Sequence, residues 1–277
     1  MIENLRLKYN AEGTILRRVQ LRMLEMLRYV ADLCDENGLQ YWLTDGTLLG
    51  AYRHKGFIPW DDDLDIGMMR EDMLKLRKIM QEDSNSDFVF QDHTTDSHYY
   101  YSFPKIRDKY SVCESDVIEE KRFKYKGIWI DIFPFEEIDV HVQKLAFYTN
   151  TRGRRFLITK NSMSFFANVR YYLNEFMLFP CFRLINRIVK KEQVYLNRSL
   201  GCEFFYPQKK EDLFPLSKLE FEKNFFCVPN HASEVLIGFY GENFNELPPE
   251  NDRTNHKIKV HFLTHDDSKH SNSLKRI

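Results

Sequence analysis

Residues 39–68 read LQYWLTDGTLLGAYRHKGFIPWDDDLDIGM, and this stretch decides the fold. LQYWLT (39–44) is a short apolar run that reads as a buried strand, and Asp45-Gly46-Thr47 turns the chain into a short helix, LLGAYRH, ended by Gly56. Pro59 keeps FIPW out of a helix. DLDIGM then forms a second strand, whose period of two sets Asp63 and Asp65 on one face. A strand entering a Gly-Thr turn that opens a helix leaves backbone N–H groups aimed at an anion. Asp61, Asp62, Asp63 and Asp65 crowd into one short run and repel one another unless a cation or a proton relieves them.

Working outward, Leu16, Val19, Met23, Leu27, Val30 and Cys34 recur at helical spacing, with Gly38 as the stop. A helix is expected over about 70–82, then strands at FVF (88–90) and YYYSFPKI (99–106). KGIWIDIFPF (126–135) is the other strong strand, apolar except for Asp131 and stopped by Pro134. Residues 139–200 read as helical with a break near Pro180. FEKNFFCVP is strand-like, and a helix from Asn230 to Tyr240 ends at Gly241 before a Pro-Pro loop. The expectation is an α/β (α+β) fold: a mixed sheet flanked by helices, one domain over 1–263 with a helical insertion at about 139–200, and a polar tail at 264–277.

Forty basic residues balance 41 acidic ones, so no global charge points to nucleic acid. Hydrophobic residues make up 43% of the chain, enough for a folded core. Cys34, Cys113, Cys181, Cys202 and Cys227 are widely spaced and form no C-x-x-C pair, which favours reduced core thiols over disulfides or a zinc site. The first residues carry no apolar signal core and no stretch is long enough to span a bilayer, so a cytoplasmic location is expected.

The chemistry rests on three carboxylates. Asp63 and Asp65 share one strand face, and Asp131 stands alone in an apolar strand, where an ionised carboxylate is costly unless paired or metal-bound. If the strands are neighbours, the three meet beside the Gly46-Thr47 turn. Mg²⁺ binds through one or two carboxylates plus substrate phosphates, so the grouping suits phosphoryl or nucleotidyl transfer. A lone D-x-D is more often a solvated turn, and Asp61 and Asp62 read equally well as turn caps. An EF-hand loop fails, because Ile66 stands at its glycine position and Asp72 at its closing glutamate.

Gly46-Thr47, Asp63-Leu64-Asp65-Ile66 and Ile130-Asp131-Ile132 together resemble the nucleotidyltransferase superfamily signature. GTLLGAYRHKGFIPWDDDLDIGM (46–68) is similar to the signature block of the LicD family, and FPKIRD (103–108), GIWIDIFPF (127–135) and FYGENFNELPPENDR (239–253) fit further blocks. The likeness covers roughly residues 16–257. It implies a nucleotidyltransferase-like fold and a phosphotransferase that decorates a glycan from a CDP-activated donor, with fukutin-related proteins as eukaryotic relatives. Glu136-Glu137 after IDIFPF, and Arg253, His256 and Lys257 spread beyond the Pro-Pro, depart from the family pattern.

Laid on this sequence, the resemblance implies that Asp63, Asp65 and Asp131 are catalytic. Asp63 and Asp65 would hold Mg²⁺ (or Mn²⁺), with Asp131 as third metal ligand or as base. Gly46 and Thr47 would cradle a phosphate. Lys105 and Arg107, which alternate on a strand, and Arg53 with His54 at the end of the short helix are candidates to bind the substrate's charge. For Arg53 and His54 the alternative is a solvated helix end. Trp60 and Trp129 could stack on cytosine or simply belong to the core.

The donor expected first is CDP-choline, with ribitol or glycerol phosphate behind it, and the acceptor is a cell-surface glycan precursor, lipid-linked, of the lipopolysaccharide, teichoic acid or capsule kind. Rival readings are a true nucleotidyltransferase and a catalytically inactive subunit of a glycan assembly complex. Finally, SFFANVRYYLNEFMLFPCFRLINRIVKK (164–191) mixes aromatic and basic residues, which suits either an insertion packed on the core or peripheral contact with the inner face of a membrane.

Overall fold

The computed structural model of the chain describes residues 2–83, 85–117, 120–158, 169–188, 195–253 and 259–263. Helix α1 spans Ile2–Tyr9 and α2 Ile15–Asn37. The Thr14 hydroxyl accepts the Arg17 N–H at the start of α2, and Gly38, at φ 63°, closes it by donating its N–H to the Cys34 carbonyl. Val19, Met23, Leu27, Val30 and Cys34 are all buried, as their spacing predicts, Leu16 is half-buried, and Met26 joins the core beside them. Each such aliphatic side chain contributes about 2 kcal/mol through burial.

The sheet is built from β1 (Tyr41–Leu43), β2 (Asp65–Met69), β3 (Phe88–Gln91), β4 (Lys105–Asp108) and β6 (Trp129–Glu137), in the order β1-β2-β6-β4-β3. Helix α3 (Asp45–His54) joins β1 to β2, and α4 (Arg70–Glu82) joins β2 to β3. β2 and β6 are parallel, and the other pairs are antiparallel. β5 (Ser111–Glu114) lies outside this sheet and pairs with β11 (Lys259–Phe262). After β6 come α5 (Val140–Ile158) and α6 (Phe179–Ile188). Strands β7 (Tyr195–Arg198) and β8 (Gln208–Lys209) then return to extend the sheet from the far end of β6. A one-turn helix α7 (Lys210–Leu213), a hairpin of β9 (Ser217–Phe221) and β10 (Asn224–Val228), and α8 (Ala232–Tyr240) complete the described elements. This is the expected α+β architecture.

The two sheet faces differ. Leu43, Ile66, Met68, Ile106, Ile130 and Ile132 join the main core with α2 and α4. Alternate residues point the other way, where Trp42, Phe133, Phe135, Leu196 and Leu213 form a second cluster. On that face Trp42 lies against Gly67: a Cβ there would stand 2.4 Å from the indole, so no larger residue fits.

Four expectations about the elements need correction. β2 begins only at Asp65, which leaves Asp63 in the extended segment before it. β4 begins at Lys105, after Pro104, and residues 99–103 are irregular. Pro134 does not stop β6. The Asp131 N–H bonds to Leu64 on one side and the Ile132 N–H to Pro104 on the other, so alternate residues serve opposite neighbours. Pro134 therefore turns its missing donor towards the point where β4 gives way to β7, and only its carbonyl is used, by the Ser199 N–H. The insertion is not helical to residue 200, because Tyr195–Arg198 is a strand. Its break falls at a π-helical turn, Asn174–Leu178, where the Phe179 N–H reaches back to Asn174 just ahead of Pro180. The polar tail, 264–277, lies outside the described residues.

All five cysteines are free. Cys34 and Cys202 are core thiols as expected, whereas Cys181 is exposed on α6. Burial pushes Cys34 and Cys113 up to about 12, which suits inert side chains. No described helix is long and apolar enough to cross a membrane.

Candidate active site

Strand register assembles the site. Asp65 on β2 stands opposite Asp131 on parallel β6, and Lys105 on β4 stands opposite Asp131 from the other side. All three are buried, and Lys105 Nζ donates to Asp131 Oδ1 at 2.5 Å. Burial lowers the lysine's pKa, and the Asp131 carboxylate only partly offsets it.

α3 starts at the same end of the sheet. The Thr44 N–H donates to the Asp65 carbonyl, and the Asp65 N–H donates to Thr47 Oγ1 at 2.8 Å. Thr47 thus fixes the first residue of β2 to the first turn of α3, a role in addition to any phosphate contact. Gly46 leaves room for the aspartate run, since a Cβ there would lie 3.1 Å from Asp61 Oδ2. That run is braced from α2: Gln20 Nε2 donates to the Asp61 carbonyl at 2.8 Å while Gln20 Oε1 accepts from Asn10 at 2.7 Å.

Two members were not anticipated from sequence. Asp45 opens α3 at φ 50°, a left-handed conformation that aspartate tolerates better than most residues. Both its oxygens accept from Arg198 Nη2, with Oδ1 at 2.6 Å. Arg198 is 1% exposed, and its guanidinium lies 3.8 Å from the Phe133 ring centre and 4.7 Å from that of Phe204. The signal was present in the TDGT turn and in the alternation of YLNR (195–198), which a helical reading of the insertion hides.

The field at this end of the sheet is negative. The Asp65 carboxyl is held well above the usual range, by burial first and then by Asp63, Asp45, Asp131 and Asp61. Tyr240 at the end of α8, 46% exposed overall, has its phenol pushed up by desolvation and then by Asp45, Asp65, Asp61 and Asp63. Arg198 and Lys105 answer Asp45 and Asp131, yet the cluster still opposes ionisation of Asp65.

Hard carboxylate oxygens in such a field fit a divalent cation such as Mg²⁺. Among the described residues no three candidate ligands already close into a cage, and Asp131 is turned to Lys105. Asp63 and Asp65 are the residues that could hold such a cation, with substrate phosphate completing its shell.

The other expected residues fall nearby or elsewhere. Arg107 shares the Lys105 face, but its guanidinium bonds Gln91 Oε1 at 2.8 Å and the Gly127 carbonyl at 2.9 Å. Both cations lie 4.8 Å from the Trp129 ring centre, so this half-buried tryptophan sits at the site. Trp60 is core, packed edge-on to Tyr9 and covered by Arg253. Arg53 is no solvated helix end: its Nη1 bonds the carbonyls of Phe244 and Glu246 and ties α3 to the loop after α8. His54 is 2% exposed. Arg253 donates to the Pro248 carbonyl and braces the Pro-Pro loop, while His256 and Lys257 lie outside the described residues. Glu136 takes a two-pronged contact from Arg183 at 2.6 and 2.9 Å, and Glu137 meets Lys210, so this departure from the family pattern anchors neighbouring elements.

His54 yields a pH prediction. Burial, then Arg53 and Arg6, lower its pKa to about 4. The unfolded chain binds this proton more readily, so the stability His54 contributes is full above about pH 6.5 and is lost as pH falls towards 4, on the order of 2 kcal/mol. Urea unfolding across that window should show a steeper loss for the wild type than for His54→Gln. Parallel curves would contradict it.

Residues 38–168 match the family model for the LicD/FKTN/FKRP nucleotidyltransferase domain. The chain is 27% identical over 278 residues to the lipopolysaccharide cholinephosphotransferase LicD of Haemophilus influenzae, covering 90% of this chain and 98% of that protein. Human ribitol 5-phosphate transferase FKRP is 40% identical over 62 residues, 22% of this chain and 12% of that protein. Mouse ribitol-5-phosphate transferase FKTN is 39% identical over 51 residues, 18% of this chain and 11% of that protein. The chain thus carries a LicD/FKTN/FKRP nucleotidyltransferase domain over residues 38–168, and it is related to a cholinephosphotransferase along nearly its whole length and to ribitol-phosphate transferases over a shorter stretch.

Proposed function

We propose that the protein transfers a phospho-substituent, choline phosphate first, from a CDP-linked donor to a hydroxyl of a cell-surface glycan precursor in a divalent-cation-dependent reaction. The observation that carries this reading is the register of Asp65, Asp131 and Lys105 across three strands, beside the α3 start. The full-length likeness to the Haemophilus enzyme favours choline over ribitol or glycerol as the head group.

Mg²⁺ (or Mn²⁺), held by Asp63 and Asp65, would screen the donor diphosphate and ease departure of CMP. Asp131 is the candidate to receive the acceptor hydroxyl's proton, and the Lys105 ammonium beside it positions that carboxylate. The Gly46-Thr47 turn, at the positive end of α3, would face the donor phosphates. Trp129 offers a ring for the donor base. Arg198 holds Asp45, and through it the first turn of α3.

Purified protein given Mg²⁺ and CDP-choline, CDP-ribitol or CDP-glycerol in turn tests the assignment through slow donor hydrolysis. CMP release from CDP-choline alone is the expected outcome. Release only from CDP-ribitol or CDP-glycerol moves the head group, and nucleotide binding without any release contradicts the assigned chemistry.

Location follows from the same reading: cytoplasmic, against the inner face of the membrane that carries the acceptor. Phe176 (73% exposed), Met177, Leu184 and Ile188 leave an apolar surface on the π turn and α6, within the basic 164–191 segment. Residues 164–168 and 189–191 of that segment lie outside the described residues. Such a surface suits anionic lipid. Co-sedimentation with phosphatidylglycerol vesicles should fall at least severalfold in Phe176→Asp/Ile188→Asp. No binding by the wild type at low salt would end the idea.

A further inference from the structure

Residues 93–98, between β3 and β4, and residues 121–126, between β5 and β6, border a cavity of about 740 Å³, and none of the clustered carboxylates lines it. Lys121, Arg122, Lys124 and Lys126 come from one loop, His93 and Asp96 from the other. Among the described residues Asp96 is the one carboxylate in the wall, and it is engaged in holding the loops. Its Oδ2 accepts from Gln91 Nε2 at 2.8 Å and from the Lys124 N–H at 2.6 Å, and its Oδ1 accepts from the His98 N–H at 3.1 Å. Of the acids nearby, Glu120 accepts from the Tyr101 hydroxyl, Asp92 pairs with Arg77, and Glu114 lies in the field of Lys121. The lining thus sets four cations against one carboxylate committed to loop structure.

His93 adds a second observation. Its Nδ1 lies 3.0 Å from the Tyr99 carbonyl, an acceptor, so Nδ1 donates there. Nε2 is buried and has no hydrogen-bond partner, and Tyr171 stacks on the ring at 4.1 Å. Four cations facing one committed carboxylate make a site for an anion with several oxygens, to which Nε2 donates in the imidazolium form. The volume falls in the range of organic ligand pockets, well beyond that of a single inorganic ion.

The cavity also borders the catalytic end. Phe123 in its wall packs on Tyr99 and Tyr100, each at 5.3 Å between ring centres, and on Tyr101 at 6.1 Å. Tyr101 in turn faces Lys105 Nζ at 5.1 Å. Phe123 and Tyr101 thus link the cavity wall to the Lys105–Asp131 pair. Tyr172, from the segment that exposes apolar side chains, reaches the cavity from another side.

We propose that this cavity is a second anion site, which binds the phosphate or diphosphate ester of the acceptor. The anion site stands on the cavity itself; the word acceptor rests on the function proposed above.

Calorimetry with inorganic pyrophosphate in EDTA isolates it, because without a divalent ion the carboxylate cluster repels anions. The wild type should bind. Lys121→Gln/Arg122→Gln/Lys124→Gln, three exposed positions, should lose about tenfold or more in affinity at unchanged Tm, the loss of a few charge-assisted contacts. Asp65→Asn should bind as the wild type does. No binding by the wild type, or equal binding by the triple variant, overturns the site. Farnesyl diphosphate then separates the sources: tighter binding than pyrophosphate marks a lipid-linked ester, and equal binding a water-soluble one. CMP release from CDP-choline in the absence of acceptor should be unchanged in the triple variant, which separates failure of this site from failure of the catalytic reading.

Discussion

Asp65→Asn is expected to abolish turnover and, without metal, to raise the melting temperature. Asp65 is buried, and burial together with Asp63, Asp45, Asp131 and Asp61 holds its carboxyl well above the usual range. The native state therefore keeps this proton more readily than the unfolded chain does. Stability is lost as pH rises from the ordinary aspartate value through the raised one. Asparagine keeps the shape, removes the charge and gives its neighbours a donor. CMP release should fall at least about 10³-fold, while Tm without metal rises by a few degrees, a trade between stability and activity common at such sites. The Tm increase that Mg²⁺ gives the wild type should vanish. A folded variant that retains more than a few per cent activity, or that melts lower without metal, contradicts the assignment.

The second large effect is expected at Arg198. Removing its guanidinium leaves Asp45 among four other carboxylates with its ion pair gone, and uncovers the faces of Phe133 and Phe204. Arg198→Met should destabilise by about 3 kcal/mol, the scale for breaking a buried pair from one side. It should also lower activity by about two orders of magnitude, because the first turn of α3 loses its anchor. Adding Asp45→Asn to Arg198→Met should recover most of the stability and little of the activity. Urea unfolding of all four proteins in the cycle measures this. A double variant no more stable than Arg198→Met would show that the unpaired carboxylate is not the cause.

Legibility in the sequence followed locality. Helical spacing and the Gly38 stop gave α2 to within a few residues, and residues 70–82 form α4 as expected. Asp63, Asp65 and Asp131 stood out because charge in an apolar strand is anomalous by itself. Lys105 followed from alternation on β4. What sequence hides is register. Nothing local pairs Asp131 with Lys105, or sets Asp65 opposite Asp131 across a parallel pair separated by more than sixty residues.

Pro134 misled for a related reason. A proline stops a strand only if both its sides need donors, and here one side falls where two partner strands exchange places. β7 was missed because no glycine or proline separates it from the insertion, and with β7 went Arg198. Sequence offers Arg53 and His54 to substrate charge or to solvent, because the loop that engages Arg53, around Phe244 and Glu246, arrives some 190 residues later.

The most direct test of the central claim, transfer of the phospho-substituent, is to follow CDP-choline hydrolysis in ¹⁸O-water by ³¹P NMR, with Mg²⁺ present. Hydrolysis at either phosphorus gives CMP and choline phosphate, so only the isotope shift distinguishes the two. The expected result is ¹⁸O on choline phosphate, from attack at the phosphorus that bears choline with CMP leaving. Label on CMP would mean attack at the nucleoside phosphorus, and the protein would be a nucleotidyltransferase.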